Sequence, residues 1–471
     1  MPGDQLTEIL SWDFKTLSAA YRERRLSPLE LTRMLLARIE THNSDLNAFV
    51  SVWEKEALAA AAEAEAAILA GRWRGLLHGV PVGLKDLIYT KNARTTMGSE
   101  IYKDFLPDYD AAVVERLNQA GAVILGKLNT HQFAYGPTGD RSYFGPVKNP
   151  YDRRKMTGGS SSGAGAAVAA GLCLAALGTD TGGSVRIPAA CCGLVGMKPT
   201  FGRVSKYGVY PLGWTLDHVG PMTRRVFDNA VLLNTLAGPD ARDPYSVDVP
   251  AEDFSRRIGE TIAGAVVGIP AAGLLEAVEP AVGDAFTAAT KLLAELGAEI
   301  RAVDLPDWPA AIAAQRTILS GEAFAVHREN LATQADRYEQ EVKERLLPSA
   351  TLKAYEYIEA QQHRHVARRQ LLETLEKVDV VVLPTLPILP PDIDQREIHI
   401  KGQADQVRAA LLRFTSPINM IGFPAMSLPC GLSAAGLPVG LQIIGRPFDE
   451  ANIYRFGGAC EQAWAIPAPQ L

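Results

Sequence analysis

The chain is poor in the residues from which most hydrolytic and metal sites are built. Its 471 residues include only five cysteines (Cys173, Cys191, Cys192, Cys430 and Cys460). That odd set has no C-x-x-C pair, which argues against a disulfide framework and a zinc cluster and fits a reducing, cytoplasmic setting. Eight histidines are scattered without metal-ligand spacing, so no metal is expected. The longest apolar stretch, Ala164 to Gly178, is mostly alanine and glycine and too short to span a bilayer. The opening M-P-G-D-Q-L-T-E carries acids and no apolar core, unlike a secretory signal. With a net charge of −6 and no block of like charges, neither nucleic acid nor membrane is an expected partner.

What is present is core-forming material: 47% of residues are hydrophobic and 21% charged, enough for one large domain or up to about three. Ser27-Pro28-Leu29-Glu30 supplies an N-cap, a first-turn proline and a third-position glutamate, predicting a helix to about Asn43. A second helix over Glu54 to Ala70 stops at Gly71, so helices are expected to fill the first seventy residues. From His78 onward, short apolar runs between glycines predict buried strands: G-V-P-V-G-L, A-V-I-L-G-K, A-V-V-G-I-P, D-V-V-V-L-P and G-L-Q-I-I-G. Helices such as Ala111 to Ala120 and Ala281 to Leu296 lie between them. The class is α/β, a sheet covered on both faces. A single domain over 1–471 is expected, with a core at about 70–238, a mostly helical segment at about 239–377 and a return to the sheet at about 378–471.

Three motifs are decoys. G-A-V-I-L-G-K-L (Gly121 to Leu128) resembles a phosphate loop but has Leu128 where a hydroxyl must bind magnesium. Gly163-Ala164-Gly165 begins a dinucleotide pattern, yet Val168 stands at the third glycine position and no strand precedes it. G-S-S-S-G (Gly159 to Gly163) formally matches a nucleophile elbow centred on Ser161, but polar, loop-like Asn149 to Thr157 precedes it. No cofactor is expected.

Lys85 in G-V-P-V-G-L-K-D, Ser160 in T-G-G-S-S-S-G-A-G and Ser184 in G-T-D-T-G-G-S-V-R-I-P form a different constellation. A lysine kept neutral in a dry site can take the proton that a serine must lose before attacking a carbonyl. Singly, each has an ordinary reading: an ion-paired lysine beside Asp86, a helix cap and a turn residue.

Together with C-G-L-V-G-M-K-P-T-F-G-R-V-S and D-H-V-G-P-M-T-R, these motifs resemble the amidase signature family. The likeness extends to F-G-P-V-K-N-P-Y-D, S-P-I-N-M-I-G-F-P-A-M-S-L-P-C-G and G-L-P-V-G-L-Q-I-I-G-R-P-F-D, leaving Pro239 to about Lys377 least covered. The resemblance implies a mixed central sheet, Ser184 as nucleophile, Ser160 as a bridging serine after a cis peptide bond, and Lys85 as base. It implies an oxyanion hole from the N–H groups of Thr181, Gly182, Gly183 and Ser184, where glycines let the backbone approach substrate closely. Tyr135, Gly136, Thr138, Ile418 and Asn419 are candidate substrate-binding residues by the same analogy. Asp180, Arg186 and Arg203 are candidate structural supports, the two arginines also being possible contacts for a polar substrate.

The expected activity is amide hydrolysis through an acyl-enzyme. A small hydrophobic or aryl amide is the expected substrate, with carbamates and esters chemically accessible, and a monomer or homodimer the expected assembly. The alternative is the glutamine-hydrolysing subunit of a tRNA-dependent amidotransferase. Against that alternative, His131-Gln132-Phe133 stands where those subunits carry D-E-F, and Ala409 to Phe414 offers no acid before Thr415-Ser416-Pro417-Ile418-Asn419.

Overall fold

A computed structural model describes residues 2–250, 252–271, 273–464 and 466–469; Met1, the first residue of the opening stretch, lies outside them. The first long helix runs Pro28–Leu46. Ser27 Oγ accepts the Glu30 N–H at 3.1 Å and the Glu30 carboxylate accepts the Ser27 N–H at 2.9 Å, which satisfies two otherwise orphaned donors. The helix ends at Asn47 in the left-handed region, φ 56°, where asparagine is one of the few tolerated side chains. A second helix spans Glu54–Leu69 and stops before Gly71 at φ +74°.

Among the described residues there are thirteen strands, in chain order β1 Phe49–Val52, β2 Pro81–Lys85, β3 Val123–Leu128, β4 Ala175–Asp180, β5 Val195–Lys198, β6 His218–Thr223, β7 Val266–Pro270, β8 Glu299–Val303, β9 Val380–Pro384, β10 Glu397–Ile400, β11 Gln403–Gln406, β12 Ala425–Leu432 and β13 Pro438–Ile444. Eleven form one sheet in the order β1-β3-β2-β4-β6-β5-β12-β13-β9-β7-β8, and β10 with β11 makes a separate hairpin. The large sheet is mixed: β2 is parallel to β3 and β4, β7 is parallel to β8 and β9, and the middle strands are antiparallel. It therefore draws strands from all three segments of the chain. Each apolar run predicted to be a strand is one. In β9 every residue is buried, and each such valine or leucine contributes about 1.5–3 kcal/mol of transfer free energy.

Two strands depart from the sequence reading. The first seventy residues are not helical throughout, because F-V-S-V forms β1 and pairs antiparallel with β3 at the sheet edge. At the other edge, E-I-R-A-V forms β8, whose exposed Glu299 and Arg301 are the charges that keep an edge strand from pairing with another chain. Four residues in one case and a charged pattern in the other give little apolar signal.

The topology fixes where chemistry can happen. Since β2 and β4 are adjacent and parallel, with Val82 opposite Ala175, their carboxyl ends, Lys85 and Asp180, open on the same side of the sheet. Beneath them runs the buried helix Ser162–Ala169. Its small residues are required: a Cβ on Gly163 would lie 2.3 Å from the Ala48 carbonyl oxygen. Among the described residues no helix is long and apolar enough to cross a membrane.

Candidate active site

Lys85, the last residue of β2, is fully buried, and its Nζ lies 2.7 Å from both Ser160 Oγ and Thr179 Oγ1. Burial pushes the amine from 10.5 down to about 7, against the opposing pull of the Asp180 and Asp217 carboxylates. Around neutral pH a large share of Lys85 is therefore uncharged and offers a lone pair to the Ser160 hydroxyl. The Gly159–Ser160 peptide is cis. The Ser160 carbonyl accepts from His131 N at 3.1 Å and Thr130 Oγ1 at 2.9 Å.

Ser161 does not share this environment. Its hydroxyl lies 3.2 Å from both the carbonyl oxygen and the N–H of Thr179 in β4, so its hydrogen-bonding capacity is spent on the sheet. Ser184 is held through its carbonyl, which accepts the Ser161 N–H at 3.3 Å, and keeps 6% exposure.

The loop carrying Ser184 is shaped by a buried ion pair. Asp180, at the end of β4, accepts the N–H groups of Gly183 at 2.8 Å and Val185 at 3.1 Å. The Arg186 guanidinium meets the same carboxylate at 3.1 and 3.0 Å and also donates to Gln442, Asn419 and the Thr415 carbonyl. Burial alone would raise the Asp180 carboxyl, but Arg186 and its other donors hold it well below the ordinary carboxylate range. The Gly183 N–H is thus already engaged, whereas those of Thr181, Gly182 and Ser184 have no intramolecular acceptor among the described residues.

The remaining candidates surround this core. The Gly159 N–H donates to the Pro137 carbonyl at 2.6 Å, which brings the Tyr135–Thr138 turn against Ser160. Gly136 packs on the His131 ring, and Thr138 Oγ1 lies 3.4 Å from His131 Nδ1. Ile418 is fully buried. Asn419 donates to the Asp180 carbonyl and carboxylate at 2.8 and 2.7 Å, so its side chain is engaged beneath the loop that carries Ser184. Arg203 lies apart, paired with Glu450 and Glu252 at 3.0 Å and flanked by the Phe254 and Phe448 rings. There it ties the Thr200 turn to the C-terminal helix Glu450–Ala463.

Sequence reasoning passed over several residues here. Thr179 touches Lys85 only because β2 pairs with β4, a contact no local motif announces. Asp217 accepts the hydroxyl of Thr181 at 2.6 Å. Arg345 donates to the Tyr135 carbonyl and lies 3.5 Å from His131 Nε2, yet it comes from the divergent segment. A cavity of about 240 Å³ adjoins Thr179 and Thr181, with Tyr210, Leu212, Asp217 and His218 in its wall. His218 Nδ1 lies 2.7 Å from the Leu216 carbonyl and 3.2 Å from the Asp180 carbonyl, its Nε2 lies 3.2 Å from Lys198 Nζ, and burial pushes the ring well below 6.5.

Comparison with known proteins assigns the chain. A profile of the Amidase family matches residues 30–454. The A subunit of glutamyl-tRNA(Gln) amidotransferase from Geobacter metallireducens is 40% identical, over 97% of this chain and 98% of that one. Among solved structures, a chain from a vestigial protein complex bearing on the origins of an s-triazine catabolic enzyme superposes with a TM-score of 0.93 at 31% identity, over 98% of this chain and 100% of its own. The A subunit of glutamyl-tRNA(Gln) amidotransferase from Thermotoga maritima gives 0.82 at 33% identity, covering 98% of both chains.

These relatives correct two expectations. A stand-alone hydrolase of small hydrophobic or aryl amides, carbamates or esters gives way to the amidotransferase alternative. The expected partners, a small-molecule substrate without nucleic acid on a monomer or homodimer, give way likewise, because proteins about 40% identical over nearly the whole chain are named as A subunits of glutamyl-tRNA(Gln) amidotransferase. The physical reason is that a lysine and two serines in this arrangement would suit any acyl transfer, so they do not discriminate, while the features taken to discriminate were two absent acids. By profile, identity and superposition the chain belongs to the amidase family and is an enzyme acting on carbon–nitrogen bonds.

Proposed function

We propose that this chain is the glutamine-hydrolysing subunit of a tRNA-dependent amidotransferase, releasing ammonia for a partner protein. The observation that carries this reading is the 40% identity to a glutamyl-tRNA(Gln) amidotransferase component over 97% of the chain. Neutral Lys85 withdraws the Ser160 proton, Ser160 withdraws that of Ser184, and Ser184 attacks the side-chain amide carbon of glutamine. Reversal of the relay protonates the departing nitrogen, and water then releases glutamate from the acyl-enzyme. The N–H groups of Thr181, Gly182 and Ser184 are the donors of that loop left open for the oxyanion among the described residues.

The missing acids do not remove every means of gripping an amino acid. Arg345 and Arg408 lie beside Tyr135, and Arg408 Nε is buried without a hydrogen-bond partner among the described residues. A guanidinium is suited to a carboxylate, so recognition here rests on the carboxylate end of glutamine. The test is to express the chain alone and with the partner subunits from its source, recording native mass and ammonia release from glutamine and from aryl anilides. A complex that hydrolyses glutamine is expected. A free monomer or homodimer that cleaves anilides and leaves glutamine untouched would overturn the proposal.

A further inference from the structure

Asp217 meets the catalytic loop from a separate element, the stretch preceding β6. Its Oδ1 accepts the Thr181 hydroxyl at 2.6 Å, and its carboxylate accepts the N–H groups of Leu212 at 2.9 Å and Gly213 at 3.1 Å. Thr181 opens the turn that ends in Ser184, and its other tether is its carbonyl, which accepts Gln315 Nε2 at 3.3 Å. The next residue, Gly182, is held from the far side by Thr415 Oγ1 at 2.6 Å. Asp217 therefore supplies the one charged anchor on the Thr181 side chain, as Asp180 does on the N–H groups further along.

We propose that Asp217 is a positioning residue for acyl transfer, fixing the start of the Thr181–Ser184 loop through the Thr181 hydroxyl while its negative charge faces the Lys85 amine. The inference rests on the reading of Lys85, Ser160 and Ser184 as the reacting groups. Two carboxylates face Lys85, those of Asp180 and Asp217. Asp180 is matched by Arg186. The cations facing Asp217 are Lys85 and Lys206, whose ammonium is spent on the Trp214 carbonyl and lies 4.4 Å from the Phe201 and Tyr245 ring centres. Removing the Asp217 charge thus leaves Lys85 easier to deprotonate.

The experiment follows the rate at which a fluorophosphonate probe labels the full chain between pH 5 and 9, a readout that needs no natural substrate. The parent, Asp217→Asn, Thr181→Val, Thr181→Ser and Ser184→Ala are compared. Thr181→Val is expected to lower the high-pH plateau by about tenfold or more, the scale of a misplaced reacting group, and Thr181→Ser to stay near the parent. Asp217→Asn is expected to lower the plateau and also to move the acid limb to lower pH, which a purely structural defect would not do. Thr181→Ser falling as far as Thr181→Val would overturn the proposal, as would an acid limb unmoved in Asp217→Asn; the threonine pair decides even where the Asp217 variant fails to fold. Labelling that survives Ser184→Ala would instead sink the underlying assignment of the nucleophile, and the inference with it.

Discussion

Arg186 and Asp180 form a two-point contact at 3.1 and 3.0 Å in which neither side chain is exposed. An ion pair so placed gains little net stability from its own attraction, yet losing one partner strands a buried charge. Here the stranded charge would also release the N–H groups of Gly183 and Val185, which Asp180 holds.

Arg186→Met is therefore expected to lower the unfolding free energy by about 3–5 kcal/mol, measured by urea denaturation. Labelling of Ser184 should fall even in conditions where the variant remains folded. Arg186→Lys should not restore either property, because one ammonium cannot reach Asp180, Gln442 and Asn419 together as the guanidinium does.

The adjacent serines separate the proposed relay from its decoy. Ser160 faces Lys85, whereas Ser161 is bonded to the Thr179 backbone. Ser160→Ala and Lys85→Ala are expected to lose turnover by at least about a hundredfold, as members of one proton path do. Ser161→Ala should keep most of it, with a modest loss of stability on the order of 1 kcal/mol from the lost hydrogen bonds. Initial rates of glutamine hydrolysis and melting curves test both.

The protonation of Lys85 sets a pH dependence with two opposite consequences. With the amine at about 7, activity should decline as pH falls through 7, since only the neutral form accepts a proton. For stability, the folded state holds its proton less tightly than the unfolded chain, whose lysine titrates near 10.5. The contribution of this residue to folding is accordingly unfavourable below pH 7 and relaxes as pH rises from 7 toward 10.5. Lys85→Met should then be inactive but melt higher than the parent at pH 6, with the gap narrowing toward pH 10. A parent whose activity stays flat down to pH 5.5 would remove Lys85 as the base.

The legible parts of this protein were those written in local chemistry. Ser27, Pro28 and Glu30 encode a helix start within four residues, and Val380 to Leu383 can only be a strand buried on both faces. The contact between Lys85 and Ser160 was legible because each sits in a long, specific motif. Contacts created by strand pairing were not: Thr179 reaches Lys85 across β2 and β4, and Arg345 arrives beside Tyr135 from a helix more than two hundred residues along. The function was misread where absence was weighed as evidence. His131 replaced an expected acid, and nothing in the sequence revealed that cations from distant helices gather at that place.

His131 supports one further prediction. It is fully buried, its N–H donates to the Ser160 carbonyl, and burial together with nearby Arg345 pushes its imidazole well below 6.5, so the ring is neutral. A Cβ on Gly136 would lie 2.1 Å from His131 Nε2, a distance no relaxation of that enclosed ring can absorb locally. Gly136→Ala should cost about 1–3 kcal/mol as an overpacked core does. It should also slow labelling of Ser184, because the ring can yield only by carrying the backbone that holds Ser160. His131→Ala opens the space, so the double variant Gly136→Ala/His131→Ala should be less destabilised than the two single losses added together, by about 0.5–3 kcal/mol of coupling. Strict additivity in urea denaturation would mean that the ring and the turn do not bear on one another, and that the path from position 131 to the bridging serine carries no load.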